Sequence, residues 1–152
     1  MSEYPWFSEL VAKYWPDLEG MIPADEPIVF KFICLFEGLG SRVSGLCVVT
    51  DKTIYIRGKP KTGAFTPVWK LAGAKSVQSY PIDAIYEIVD KKTKLIFRIK
   101  HDYLGGKYIG KTGKFLLAPH QGKEKGIGKE PKAEWLKRID DYRTFFASKI
   151  TG

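Results

Sequence analysis

Apolar and polar positions change their period several times along this chain, and each change marks an element. Phe7, Leu10, Val11, Tyr14 and Leu18 recur at helical spacing, which predicts an amphipathic helix near residues 5–15 with Pro5 at its first position. Pro16 has no amide hydrogen and its ring clashes one turn back, so it is expected to end or kink that helix. An irregular lead-in, GMIPADEP, comes next. The run IVFKFICLF at 28–36 is β-branched and aromatic, short for a buried helix, and bracketed by Pro27 and Gly38; it predicts a core strand. In GLCVVTDKTIYIRG two strands flank Thr50-Asp51-Lys52-Thr53, with Ile54 and Ile56 on one face and Tyr55 and Arg57 on the other.

A turn-rich middle holds strand pieces near 68–71 and 76–80. A hairpin then sets 85–89 against 94–100 across the polar turn Asp90-Lys91-Lys92-Thr93. One more strand, 114–118, stops at Pro119, and the glycine- and lysine-rich HQGKEKGIGKE is expected to be a mobile, solvated loop. After Pro131, the residues Trp135, Ile139, Tyr142, Phe146 and Ile150 form one broad aromatic face of a closing helix. The sum is a mainly β fold: a bent antiparallel sheet or partly open barrel of about seven strands. Its C-terminal helix fills the cavity, and an extra helix precedes the sheet. Residues 1–22 read as that helix and its lead-in, and 23–152 as one globular unit.

Charge adds an asymmetry. The net charge is +8, yet residues 1–40 hold seven acids against two lysines, a net of −5, so the remainder carries +13. Between Lys52 and Ile82 there are six basic residues and no acid. A strongly positive face suits anionic lipid headgroups, nucleic acid or an acidic protein surface. No apolar run reaches the ~18 residues of a membrane span. The acidic opening MSEYPWFSEL is unlike a secretory signal, which points to a reducing, cytoplasmic setting. There Cys34 and Cys47 read as small buried hydrophobes on neighbouring strands.

Chemistry-bearing patterns are few. Gly105 to Thr112, GGKYIGKT, fits the nucleotide-cradling pattern G-x-x-x-x-G-K-[ST] letter for letter. A P-loop, however, leads into a helix whose free amides hold the phosphates, whereas GKFLLAP comes next here and reads as a strand. The stretch is therefore read as a lysine-bearing strand connection. His101 and His120 have no cysteine or carboxylate at ligand spacing, so no metal site is expected. Asp140-Asp141 lies among Lys137, Arg138 and Arg143 and reads as a solvated helical face. Neither a nucleophile motif nor a cofactor motif is present, and the expectation is a non-enzyme that needs no cofactor.

The order SGLCVVTDKTIYI, YPIDAIYEI, KLIFRIK, KFLLAP and a tryptophan-bearing last helix resembles the pleckstrin-homology superfamily, in its GRAM, bacterial PH and GLUE branches. Thr50, Ile54 and Tyr55 sit in its hairpin pattern, with Thr53 where arginine is usual, and Pro81, Ile82 and Ile85 match its second element. The resemblance implies a non-catalytic recognition module. Its members bind phosphoinositides or other anionic lipids peripherally through basic loops, and the GLUE domains of endosomal sorting machinery also bind ubiquitin. The first strand connection, EGLGSRVS, offers only Arg42, a departure from the usual lipid motif. An alternative anion site is then expected from Arg57, Lys59 and Lys61 together with Lys107, Lys111 and Lys114. The competing readings are a general protein-interaction scaffold and nonspecific nucleic-acid attraction, the latter without a motif of its class.

Overall fold

The computed structural model describes residues 5–38, 41–60, 76–99 and 113–150. Seven strands make one antiparallel sheet: β1 (Ile28–Gly38), β2 (Ser41–Thr50), β3 (Thr53–Pro60), β4 (Ser76–Pro81), β5 (Ile85–Lys91), β6 (Lys94–Ile99) and β7 (Gly113–Pro119). Their order is β4-β3-β2-β1-β7-β6-β5. The two edge strands, β4 and β5, are consecutive in the chain and separated only by the short turn Ile82–Ala84. Three residues span little distance, so the sheet has to curl until its edges approach. Tyr80 of β4 accordingly stacks on Phe115 of β7 with ring centroids 4.9 Å apart. The edges do not pair, and the barrel stays open.

The concave side of this sheet holds the main core. Alternation along β3 sends Ile54 and Ile56 inward, while β6 buries Leu95, Phe97 and Ile99 and exposes Lys94 and Arg98. Helix α2 (Lys132–Lys149) closes the concavity with Ile139, Tyr142 and Phe146. Tyr142 stacks on Phe32 at 4.3 Å, and Phe146 meets Phe97 edge-on at 4.9 Å. Cys34 and Cys47 are free and fully buried in this core. Burial pushes the Cys47 thiol up first, and the adjacent Cys34 adds to the shift.

On the convex side, α1 (Ser8–Glu19) lies over β2 and β3 and builds a second apolar layer. Tyr14 and Leu18 pack there with Ile33, Leu46, Val48 and Tyr55. This helix differs from its expected span at both ends. It begins at Ser8 because Phe7, with a left-handed φ of 55°, turns the chain immediately before it. It also runs through Pro16 to Glu19. The proline removes one amide donor, but the next turn is held from outside the helix ladder. Leu18 is fully buried, Asp17 pairs with Arg57, and Trp15 Nε1 donates to Glu19 Oε2 at 2.8 Å. Burial of the apolar face outweighs the local helix-breaking preference.

The 120–130 stretch is ordered instead of a mobile loop. It forms a hairpin of β8 (Lys123–Glu124) and β9 (Gly128–Lys129). The β5–β6 turn is also tighter than expected, reduced to Lys92-Thr93, with Lys92 at a positive φ of 28°.

Candidate functional site

Of the residues expected to form an anion site, Arg57 and Lys114 have described side chains, and the register sets Arg42, Lys59 and Lys114 at one end of the sheet. Arg57 is only 8% exposed. Its Nε donates to Asp17 Oδ2 at 2.7 Å, its Nη1 donates to the Gly58 carbonyl at 2.7 Å, and its guanidinium lies 4.7 Å from the Tyr14 ring centre. These contacts hold α1 on the sheet and withdraw Arg57 from the surface. Lys114 is exposed on β7, in register with Arg98, which in turn faces Glu87 at 3.7 Å. Arg42 and Lys59 are placed by their backbones in β2 and β3, while Lys61, Lys107 and Lys111 lie outside the described residues. The motif GGKYIGKT lies outside them as well. It leads directly into strand β7, where a nucleotide cradle requires a helix.

Three other lysines come together where the β8–β9 hairpin meets the start of α1. The base of the hairpin is stapled by Glu130, which is 4% exposed. Arg138 of α2 donates from Nε to Glu130 Oε2 at 2.9 Å and from Nη2 to Oε1 at 2.8 Å. The Gly122 amide donates to the same Oε1 at 2.9 Å. Arg138 also donates to the His120 carbonyl and to the Tyr142 hydroxyl. Such a two-pronged, charge-assisted pair fixes orientation as well as position. The hairpin therefore stands on the helix that closes the core.

Its free side grips α1. The Phe7 amide donates to the Lys123 carbonyl at 3.0 Å, and the Ser8 amide donates to Glu124 Oε2 at 2.6 Å. The Trp6 ring lies directly against Gly122, where an added Cβ would fall 2.3 Å from Trp6 Cγ. A cleft of about 530 Å³ opens between the two elements, lined by Phe7, Leu10, Lys123, Lys125, Lys129 and Gly128 with Glu9 and Glu124. The three lysines and Leu10 are exposed, and Ile127 at the hairpin tip is 64% exposed. Among the described residues, no group of histidine, cysteine and carboxylate side chains is arranged to hold a metal ion.

The two acids of the cleft are not equivalent. Hydrogen bonding from the Ser8 amide holds the Glu124 carboxyl below the ordinary glutamate value, as expected for a carboxylate at a helix N-terminus. Its carboxylate is turned onto the first turn of α1, and the cleft lining as a whole sets Lys123, Lys125 and Lys129 against Glu9 and Glu124. A depressed folded pKa means that this contact is fully made above the ordinary glutamate range and is lost as pH falls through the lowered value. A carboxyl-carbon NMR titration should show Glu124 titrating below the ordinary glutamate value, and the downfield shift of the Ser8 amide should vanish in Glu124→Ala. An unshifted titration would remove the cap.

Little in the sequence warns of this site. Its lysines belong to a stretch that reads as a solvated loop, and the one available signal is a lone isoleucine set between glycines and lysines in KEKGIGKE. No family model matches the chain, and no curated protein matches it. Among solved structures it is similar to the C-terminal domain of an unknown protein from Leishmania infantum, at 15% identity over 95% of this chain and 98% of that one, with a TM-score of 0.44.

Proposed function

We propose that this chain is a non-catalytic recognition module that binds anionic phospholipid surfaces peripherally. The observation that carries this reading is the convergence of Lys123, Lys125 and Lys129 on one cleft that Leu10 also lines, on a hairpin whose tip exposes Ile127. Cations beside exposed apolar side chains match a membrane interface, where anionic headgroups lie over acyl chains. The antiparallel sheet closed by α2 supports the resemblance to the pleckstrin-homology superfamily, and with it phosphoinositide headgroups as the preferred anions. Helices of the described residues are too short or too polar to cross a membrane, and surface attachment requires no crossing.

Co-sedimentation with phosphatidylcholine vesicles, with and without phosphatidylserine or phosphoinositide, tests the reading. Each lysine near a charged surface contributes about 1 kcal/mol. The double variant Lys125→Gln/Lys129→Gln is therefore expected to bind anionic vesicles roughly thirtyfold more weakly. Binding of the native chain should also weaken steeply with added salt. Equal binding to neutral and anionic vesicles would overturn the proposal.

A further inference from the structure

We infer that the β8–β9 hairpin is a membrane wedge: Ile127 enters the acyl boundary of an anionic membrane while Lys123, Lys125 and Lys129 hold the headgroups around it. This inference rests on the proposed membrane role and adds to it a depth of insertion and a residue that carries it.

The geometry separates a rigid base from a projecting tip. The base is fixed twice, by Glu130 on Arg138 and by Glu124 and Lys123 on the start of α1. The Ile127 amide donates to the Glu124 carbonyl at 3.1 Å and so sets the turn. Gly126 and Gly128 on either side have φ of +86° and +110°, a backbone that turns sharply and that residues with a Cβ rarely adopt. A Cβ at either position would meet nothing within 4 Å, so the tip stands clear of the rest of the molecule.

An exposed isoleucine alone needs no explanation. Here it is the one apolar residue of a lysine-rich hairpin that the fold stabilises at two points, and Leu10 is exposed on the cleft beside that hairpin. Charge identifies the occupant. The lysines flanking the tip are exposed and outnumber the cleft's two carboxylates, Glu9 on α1 and Glu124, which is turned onto the Ser8 amide. A surface that presents negative charge outside and hydrocarbon just beneath matches the tip in both respects. A purely apolar protein surface would leave the lysines desolvated and unpaired.

The test compares the native chain, Ile127→Ser, and Ile127→Cys labelled with an environment-sensitive nitrobenzoxadiazole dye. Cys34 and Cys47 are fully buried, which directs the label to position 127. Thermal unfolding should be little changed in Ile127→Ser, because Ile127 is 64% exposed. Burying an isoleucine side chain is worth enough that Ile127→Ser should bind phosphatidylcholine/phosphatidylserine vesicles about tenfold more weakly. The salt dependence should be unaltered, since the lysines remain. The dye should brighten and shift to the blue on vesicle binding, and spin labels at shallow acyl positions should quench it.

If the native chain binds anionic vesicles while Ile127→Ser binds equally well and the dye stays silent, the wedge is overturned and the electrostatic reading stands. Failure of the native chain to bind overturns both. Self-association of the native chain in the absence of lipid that Ile127→Ser abolishes would assign the tip to a second copy of the chain and overturn the wedge.

Discussion

Replacing Glu130 by alanine is expected to destabilise the protein by about 3–5 kcal/mol, the cost of leaving one member of a buried ion pair without the other. Glu130 and Arg138 have side-chain exposures of 5% and 17%, so solvent screens this pair far less than a surface bridge. Three donors converge on the carboxylate: Arg138 Nε, Arg138 Nη2 and the Gly122 amide. Without it the guanidinium loses its carboxylate and retains the His120 carbonyl and the Tyr142 hydroxyl, and the Gly122 amide loses its Glu130 acceptor. Urea unfolding should show a lower midpoint with little change in slope. Hydrogen exchange should also show the 122–130 backbone losing protection first. In the double variant Glu130→Ala/Arg138→Met the loss should be smaller than in Glu130→Ala alone, because the charge is removed together with its partner. A loss below about 1 kcal/mol for Glu130→Ala would mean that the staple is relieved by water.

The second large effect is expected at Gly45, in the middle of β2. Gly45 is in register with Gly58 of β3 and Cys34 of β1. A Cβ there would lie 2.1 Å from the Arg57 carbonyl oxygen and 2.5 Å from Gly58 Cα. Both obstacles are backbone, so no rotamer change relieves the clash, and β2 and β3 have to separate in the centre of their ladder. Overpacking typically costs about 1–3 kcal/mol when side chains can yield. Gly45→Ala is expected to exceed the upper end, lowering the melting temperature by roughly 6–12 °C. The shift also moves Arg57, and with it the 2.7 Å contact to Asp17 that holds α1. Gly20→Ala is the control, since a Cβ at Gly20 meets nothing within 4 Å. A Gly45→Ala protein as stable as that control would refute the close approach.

Much of the sheet was legible because period-two alternation is imposed locally. The separation of Ile54 and Ile56 from Tyr55 and Arg57 holds in the fold: the first pair faces the main core, and Tyr55 and Arg57 lie under α1. The face of α2 was legible for the same reason, since Ile139, Tyr142 and Phe146 are buried at the spacing that marks them in sequence. Pro16 was misleading as a stop signal because the forces that carry α1 past it, burial of Leu18 and the Asp17–Arg57 pair, come from strands far away in the chain.

The candidate site was much less legible. Arg57 has the composition of an anion-binding residue, and only packing shows that its charge is already matched. In HQGKEKGIGKE, glycine and lysine content reads as solvation. The order in that stretch comes from Glu130, whose partner Arg138 lies on the next helix and whose burial no local pattern reveals.

Alternation, helical spacing and the placement of proline and glycine were enough by themselves to determine the mainly β class, the curled antiparallel sheet and the closing aromatic helix. These features depend on which faces of each element are apolar, and that information is local. Tertiary structure alone decided which charges are used up and which remain available. Arg57 is paired with Asp17 and Glu130 with Arg138, and Glu124 accepts from the first turn of α1, while Lys123, Lys125 and Lys129 stay exposed on the hairpin that carries Ile127. Charge pairing depends on distances between residues remote in sequence, and those distances exist only once the sheet has curled and both helices have packed.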